Sequence, residues 1–496
     1  MFAELKKLIR HFSAYGSATV LQKGVGFFMI PVYTHYLSPA DYGILELLDM
    51  TITVITMLIG LRLGSALIRF YHSYDTEKDR QEVFSTNLIF IVSMTIIVVL
   101  ILEIFVTPFS KFILGNSDYF EYLQIMFLAM GLQTIATVPQ NLLLAKFQSV
   151  QYATITIVTF VSYLTLNILF LVVFGWGLMG LLYSILITKI FNNIMLFFVV
   201  RRHLKLSFSM EKLKSMVKFS YPLIPASLAM FSIHFSDRFF VQHFCDPDEL
   251  GVYSLGYKFG MIISVIVSQP FFRIWNTQRF EIAKQNNPGP TLSSFFSYYA
   301  LIILTAGLTI GVFSDEVVKI MAPDSYARAS NLIVVIVLSY VFSGMATFFT
   351  LGTMLVYKYK HTAYILVSIA ILNVFLNILF IPSWGIMGAA FSTVLTFFML
   401  WIVTMLNSQR LYYLPLELRR LGSLSLVVVI TYCASWLIDQ SLIISLGINT
   451  LLMLNFPVLL WLLGFFQFEE LAKAKELLVA FKYRLLQISS NSSKSY

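Results

Sequence analysis

Between residues 13 and 466 the chain is a succession of apolar runs of about 20 residues, the length a helix needs to cross a bilayer. Backbone polar groups in hydrocarbon must be satisfied within the spanning structure, so lipid sets the fold rather than one soluble core. Fourteen runs are read, at 13–36, 43–70, 84–108, 120–144, 153–174, 178–200, 217–240, 250–274, 292–313, 329–355, 362–381, 385–406, 421–438 and 441–466. The composition agrees, with 58% hydrophobic and only 12% charged residues, against roughly 25% charged in soluble proteins. The expected fold class is an all-α integral membrane protein.

Basic residues test the count, because Lys and Arg collect on the cytosolic side. With the N-terminus in the cytosol and strict alternation, cytosolic segments hold 25 Lys and Arg, outer segments hold Lys111, Lys319 and Arg328, and spans hold the rest. One missed helix would invert every later loop and destroy that bias. The net charge of +9 therefore reflects membrane orientation, and no nucleic-acid surface is read. Residues 1–12 read as a basic amphipathic helix on the cytosolic surface, not a cleavable signal. The Ser-rich tail from Ser489 reads as disordered. Cys245 and Cys433 are too far apart, in too unlike settings, to read as a disulfide or metal pair. No cofactor is expected.

A duplication organises the runs. LNILF occurs at 166–170 and 376–380, followed by WGLMG at 176–180 and WGIMG at 384–388. SPADYGILEL at 38–47 returns in weaker form as DPDELGVYSL at 246–255, so Pro39 matches Pro247 and Gly43 matches Gly251. The spacing of about 208 residues is too long for a solenoid repeat and reads as a duplicated half. Six spans per half is an even number, so the halves run parallel, related by a pseudo-twofold axis along the membrane normal. The expected organisation is a first lobe at 1–206, a second lobe at 207–410, and two further helices with a tail at 411–496. A cleft between the lobes is the natural substrate path. The repeated Trp, Gly and Pro themselves read as architectural, marking interfacial turns and helix starts.

Charges within spans cost roughly 2.5–3.5 kcal/mol on insertion scales and mark function by default. Lys23, Arg62, Arg69, Asp237, Arg238, Lys258 and Arg273 are the candidate substrate-binding residues. Lys189 is a further intramembrane cation, with polar packing near Asn192 and Asn193 as the plainer reading. On an ideal helix His234, Asp237 and Arg238 share one face, and Lys258 lies about 60° from Arg273. Arg62 and Arg69 point nearly opposite to Glu46 and Asp49 unless the helix bends, for which Gly60 and Gly64 leave room. The functional reading is a cationic cleft for a phosphate or pyrophosphate headgroup, matched by Arg forks and Lys point charges. The competing readings are internal pairing, Asp237 with Arg238 or Glu46 with Lys23, and snorkelling of Arg69 and Arg273 to headgroups.

THYLSPADYGILEL after the first span, SDRFFV closing the seventh and LGVYSLGYK opening the eighth resemble the polysaccharide flippases of the multidrug/oligosaccharidyl-lipid/polysaccharide exporter superfamily. The resemblance covers nearly the whole chain. It implies a transporter, not an enzyme, that moves polyprenyl-pyrophosphate-linked oligosaccharide repeat units across the bacterial cytoplasmic membrane by alternating access, for O antigen, capsule or exopolysaccharide. It implies a cavity lined by spans one, two, seven and eight, which carry all seven binding candidates. It also implies ion or proton coupling, for which Glu46, Asp49 and Asp237 are this chain's candidates, and pathway partners such as a polysaccharide polymerase and glycosyltransferases. Both termini are expected in the cytosol.

Three alternatives accompany that reading. A multidrug/cation antiporter of the same superfamily would favour an acidic pocket, whereas the charge within spans here is mainly basic. A lipid II-type flippase suits two helices after the second lobe. A membrane polysaccharide polymerase or ligase would need a sizeable catalytic loop, and the outer loops are short.

Overall fold

A computed structural model describes residues 27–205, 207–437 and 441–466. Lys23, the surface helix expected at 1–12, most of the first expected span and the Ser-rich tail lie outside the described residues. The described residues are helical throughout their ordered elements, and twelve helices are long and apolar enough to cross a membrane. One of them, Tyr359–Leu411, has 53 residues, a length of about 80 Å that exceeds twice a bilayer core. It breaks at Gly385, whose φ of 56° and ψ of −138° lie outside the helical region. The expected count of fourteen thus requires reading this helix as two crossings, and also requires the first span, so the described residues do not establish it.

The second span of each lobe begins the same way. The helix α1 (Pro39–Gly60) starts with Pro39 in its first turn, and the Ser38 side chain accepts from the Asp41 N–H at 3.1 Å. The helix α2 (Pro247–Ile263) starts with Pro247 behind Asp246, with Asp248 and Glu249 in the first turn. Proline at N1 loses no hydrogen bond, and acidic residues suit the positive end of the helix dipole.

These two starts meet each other. A Cβ on Gly251 would stand 1.8 Å from the Pro39 carbonyl oxygen, and one on Gly43 would stand 2.8 Å from the Gly251 nitrogen. The backbones of the two lobes therefore touch at the repeated glycines, on the expected symmetry axis. The Ala40 N–H donates to Asp248 Oδ1 at 3.0 Å, Thr34 Oγ1 to the Met321 carbonyl at 2.9 Å, and the Tyr326 hydroxyl to the Leu37 carbonyl at 3.3 Å. Glycine permits the approach because lipid supplies no hydrophobic drive between helices, and close packing must hold them.

Packing between the lobes is concentrated at this outer end, through α1 against α2 and against α3 (Ile224–Phe244). At the other end each lobe packs on itself. The helix α4 (Leu63–Ser73) lies on Glu77–Ile104, Phe120–Ala145 and the linker helix α5 (Met210–Ser220), while α6 (Gln269–Ile282) lies on Pro288–Val312 and Ala329–Leu355. The lobes accordingly meet at the end that carries the repeated glycines, and at the other end each packs on itself. The linker helix belongs physically to the first lobe: Lys212 bonds Asp79 at 2.8 Å and Glu82 at 2.6 Å, and Phe219 stacks edge-on against Phe70.

Gly251→Val should force the outer seam open. In a background with Cys433 replaced, a cysteine at Leu250, which is fully buried in this seam, should be protected from an impermeant maleimide and become labelled once Gly251→Val is added. Native Cys245 should compete poorly at neutral pH, because burial, then Glu249 and Asp246, push its thiol up to about 11. Equal protection in both proteins would contradict the glycine contact.

Candidate functional site

Below the glycine contact the first polar group from each lobe meets its counterpart. Lys258 on α2 donates to Glu46 on α1 in a short ion pair and to the Tyr42 hydroxyl at 3.0 Å, with its ammonium 5.0 Å from the Tyr42 ring centre. Glu46 is buried and Tyr42 fully so, while the Lys258 side chain keeps 32% exposure. Lys258 is thus the point where the closed seam gives way to open space. Glu46 pairs with Lys258, and Lys23, the other partner considered for it, lies outside the described residues.

From there α1 presents a stripe to the cleft. Asp49 and Thr53 are exposed one turn apart, and Gly60 has open space where a Cβ would be. Lys258 and Lys189 both act on Asp49 electrostatically. Asn193 bonds the Lys189 and Leu132 carbonyls and Asn192 accepts from Thr159, so neither asparagine holds the Lys189 ammonium.

The span then breaks. Leu61 and Arg62 both adopt left-handed backbone, with φ of 44° and 56°. The sequence points to Gly60 or Gly64 as the place for a bend, but the residues that turn are the two non-glycines between them. Gly64 instead admits the Asn141 side chain, 2.4 Å from where its Cβ would stand. Left-handed backbone at a non-glycine costs about 1–2 kcal/mol, and such strain clusters at functional positions. The break leaves the N-terminus of α4 with no side-chain cap, next to the exposed Arg62, which has no ion-pair partner among the described residues. Along α1, Glu46 and Gly60 are about 21 Å apart, about two thirds of the thickness of a bilayer core.

The remaining candidates separate. Arg69 is exposed and stacks over Phe219 of the linker helix at 4.4 Å. Arg273 is exposed on α6. Its angular relation to Lys258 is not that of one straight helix, because a π-helical stretch, Ser264–Ser268, and Pro270 intervene.

Asp237 and Arg238 do not face the cleft. They form a buried pair at 3.0 Å, 1% and 3% exposed. Asp237 Oδ2 also accepts from the Tyr253 hydroxyl and, at 3.4 Å, from Thr393. The Arg238 guanidinium donates to the His234 carbonyl at 3.1 Å and lies 3.9 Å from the Tyr257 ring centre. Internal pairing, the structural alternative, is the arrangement found.

Sequence reasoning missed the residues around that pair. Asn377, the second residue of the repeated LNILF, contacts Ser236 at 3.4 Å, Asn373 at 3.3 Å and Ser392 at 2.6 Å. Its counterpart Asn167 donates to the Tyr33 hydroxyl at 3.0 Å. In each lobe a buried asparagine of the repeat ties the fifth span to the first. An amide repeated within two apolar runs was the available signal.

Two lobes of helices that meet at a charged seam form a fold shared with solved membrane transporters. A solved lipid II flippase MurJ in an inward closed conformation shares the fold with a TM-score of 0.72 at 13% identity, over 89% of this chain and 97% of that one. An inward-facing multidrug resistance MATE family transporter shares it with a TM-score of 0.64 at 13% identity, over 80% and 94%. The family model for polysaccharide biosynthesis proteins matches residues 8–275, more than half of the chain, and the protein belongs to that family. The succinoglycan biosynthesis transport protein ExoT of Rhizobium meliloti (strain 1021) is 23% identical over 244 residues, which are 49% of this chain and 48% of that protein. The matched stretch spans about half the length of that relative. The chain is a multi-pass membrane protein.

Removing one partner of a buried pair costs about 3–5 kcal/mol. Arg238→Leu and Asp237→Asn should each lower the thermal midpoint of the detergent-purified protein well below wild type, whereas Arg62→Ala, at an exposed position, should stay near it. Wild-type melting of Arg238→Leu would contradict the buried pair.

Proposed function

We propose that the protein carries a polyprenyl-pyrophosphate-linked oligosaccharide across the bacterial cytoplasmic membrane by alternating access between its two lobes. The observation that carries this reading is the strained break at Leu61–Arg62. It sets a guanidinium with no ion-pair partner among the described residues beside a helix N-terminus with no side-chain cap. Helix N-termini and Arg forks both favour phosphate oxygens, and broken spans bind anionic substrate groups in this way. The pyrophosphate would enter at Arg62 with Arg69 and Arg273 drawing it from the cytosolic headgroups. The sugars would occupy the aqueous cleft along Thr53 and Asp49, and the prenyl tail would stay in lipid.

The same geometry supplies the switch. An anion reaching the apex competes with Glu46 for Lys258, and only such a differential contact can shift the equilibrium between conformations. The released Glu46, with Asp49 beside it, is then the place for proton or ion exchange. The charge of Asp237 is already matched by Arg238, which argues for Glu46 and Asp49 over Asp237. The lobes would pivot after the linker helix, at the turn Tyr221–Leu223 with Pro222 and Pro225, which shifts the physical boundary past the expected 206/207. The printed names of the relatives, a succinoglycan transport protein and a lipid II flippase, support a lipid-linked glycan as cargo. A pathway polymerase and glycosyltransferases would be the partners, and both termini would lie in the cytosol.

Reconstituted vesicles carrying a polyprenyl-pyrophosphate oligosaccharide test the proposal. Wild type should speed its transbilayer movement. Loss of a charged hydrogen bond is worth about 1.5–3 kcal/mol, so Arg62→Ala should slow movement by about tenfold or more while insertion and melting stay normal. Lys258→Ala should slow it too. Movement of lipid II alone, or drug efflux with no lipid movement, would replace this cargo with one of the alternatives.

A further inference from the structure

The outer end of the seam holds a second feature that the cargo path does not use. A cavity of about 310 Å³ opens between the lobes, walled by Lys111, Phe112 and Gly115 on one side and Phe240, Gln242 and His243 on the other. Lys111 is one of only three basic residues assigned to the outer face by the charge bias. Orientation therefore gives no reason for it to be there, and neither Lys111 nor His243 has an ion-pair partner among the described residues. Both side chains are exposed, and they sit among aromatic surface: Phe112 is 86% and Phe244 45% exposed. A Lys ammonium and an imidazole beside exposed aromatic rings suit a lipid headgroup at the membrane interface, with acyl chains along the rings and phosphate at the ammonium. Gln242 adds a constraint. Its Nε2 donates to the Leu114 carbonyl across the seam at 2.9 Å, while its Oε1 is buried with no partner. The contact crosses the seam, so this wall of the cavity depends on the two lobes staying together.

We infer that this cavity binds the phosphate headgroup of an outer-leaflet glycerophospholipid of the phosphatidylglycerol type, as a regulatory ligand distinct from the cargo. The lipid phosphate meets Lys111 and His243, the glycerol hydroxyls approach Gln242, and the chains lie over Phe112 and Phe244. The walls come from different lobes, so the lipid binds the arrangement in which the outer seam is closed. A ligand that binds one state holds the molecule there by mass action. An outer leaflet rich in phosphatidylglycerol would then slow the outward opening of the lobes.

Full-length protein in detergent tests the site with three probes: dioleoyl phosphatidylglycerol, dioleoyl phosphatidylcholine and soluble glycerol phosphate. Native mass spectrometry should show one phosphatidylglycerol retained by wild type and lost from Lys111→Ala/His243→Ala. The thermal midpoint of wild type should rise with phosphatidylglycerol only. Melting of the variant in phosphatidylcholine should match wild type, since both side chains are exposed, and Lys111→Gln gives an independent variant for the same readouts. Equal retention by wild type and variant, or an equal rise with phosphatidylcholine, would overturn the site. An equal rise with glycerol phosphate would mean an anion site and not a lipid site. None of these readouts depends on the identity of the cargo.

Discussion

Lys258 and Glu46 come from different lobes and meet where the seam between those lobes ends. Their pairing is not what holds the lobes together. Desolvating two charges costs several kcal/mol per ion, and the attraction between them returns about that much. Cohesion comes from the contact above them, where Pro39 and Gly251 bring two backbones together and seal Leu250 and Tyr42 from solvent. The ion pair adds register and reversibility: a near-neutral interaction is one that a competing anion can replace. A Leu–Leu contact at the same place would close the cleft and offer no chemical means of opening it.

The second constraint lies about 21 Å along the same helix. Two left-handed non-glycine residues in succession cost about 2–4 kcal/mol together, and something must hold them there. Leu63, Ala66 and Leu67 immediately after the break are fully buried in a cluster with Leu213 and Met216 of the linker helix, and Asn87 donates to the Leu63 carbonyl at 3.2 Å. The first lobe thus uses its connection to the second lobe to fix the position of Arg62. The second lobe bends its equivalent span differently, through the π-helical stretch and Pro270. The halves are alike at their outer ends, where the repeat is preserved, and unlike where charges enter the membrane.

Much of this was legible in the sequence. Apolar length is a local property imposed by lipid, and it carried the all-helical, membrane-spanning class. What the repeat could not carry was contact. Gly43 and Gly251 could be read as matching positions, but nothing local says that matching positions touch. Straight-helix phase failed for Arg62 against Glu46 and for Arg273 against Lys258, in each case because a backbone irregularity lies between the two residues. The pairing of Glu46 with Lys258 spans 212 residues and depends on the seam, so no spacing encodes it. Asn167 and Asn377 stand in plain view within LNILF, but nothing local says that each is a buried tie to the first span of its lobe.

The central claim is that anionic cargo exchanges the closed outer seam for a closed inner mouth. Spin-label distances in proteoliposomes test it most directly, with one pair at the outer helix starts, on Asp41 and Asp248, and one at the inner ends, on Ser73 and Thr277. Adding a polyprenyl-pyrophosphate oligosaccharide should lengthen the outer distance and shorten the inner one, and Lys258→Ala should blunt both changes. Distances that stay fixed at both ends while the lipid crosses the membrane would contradict the account.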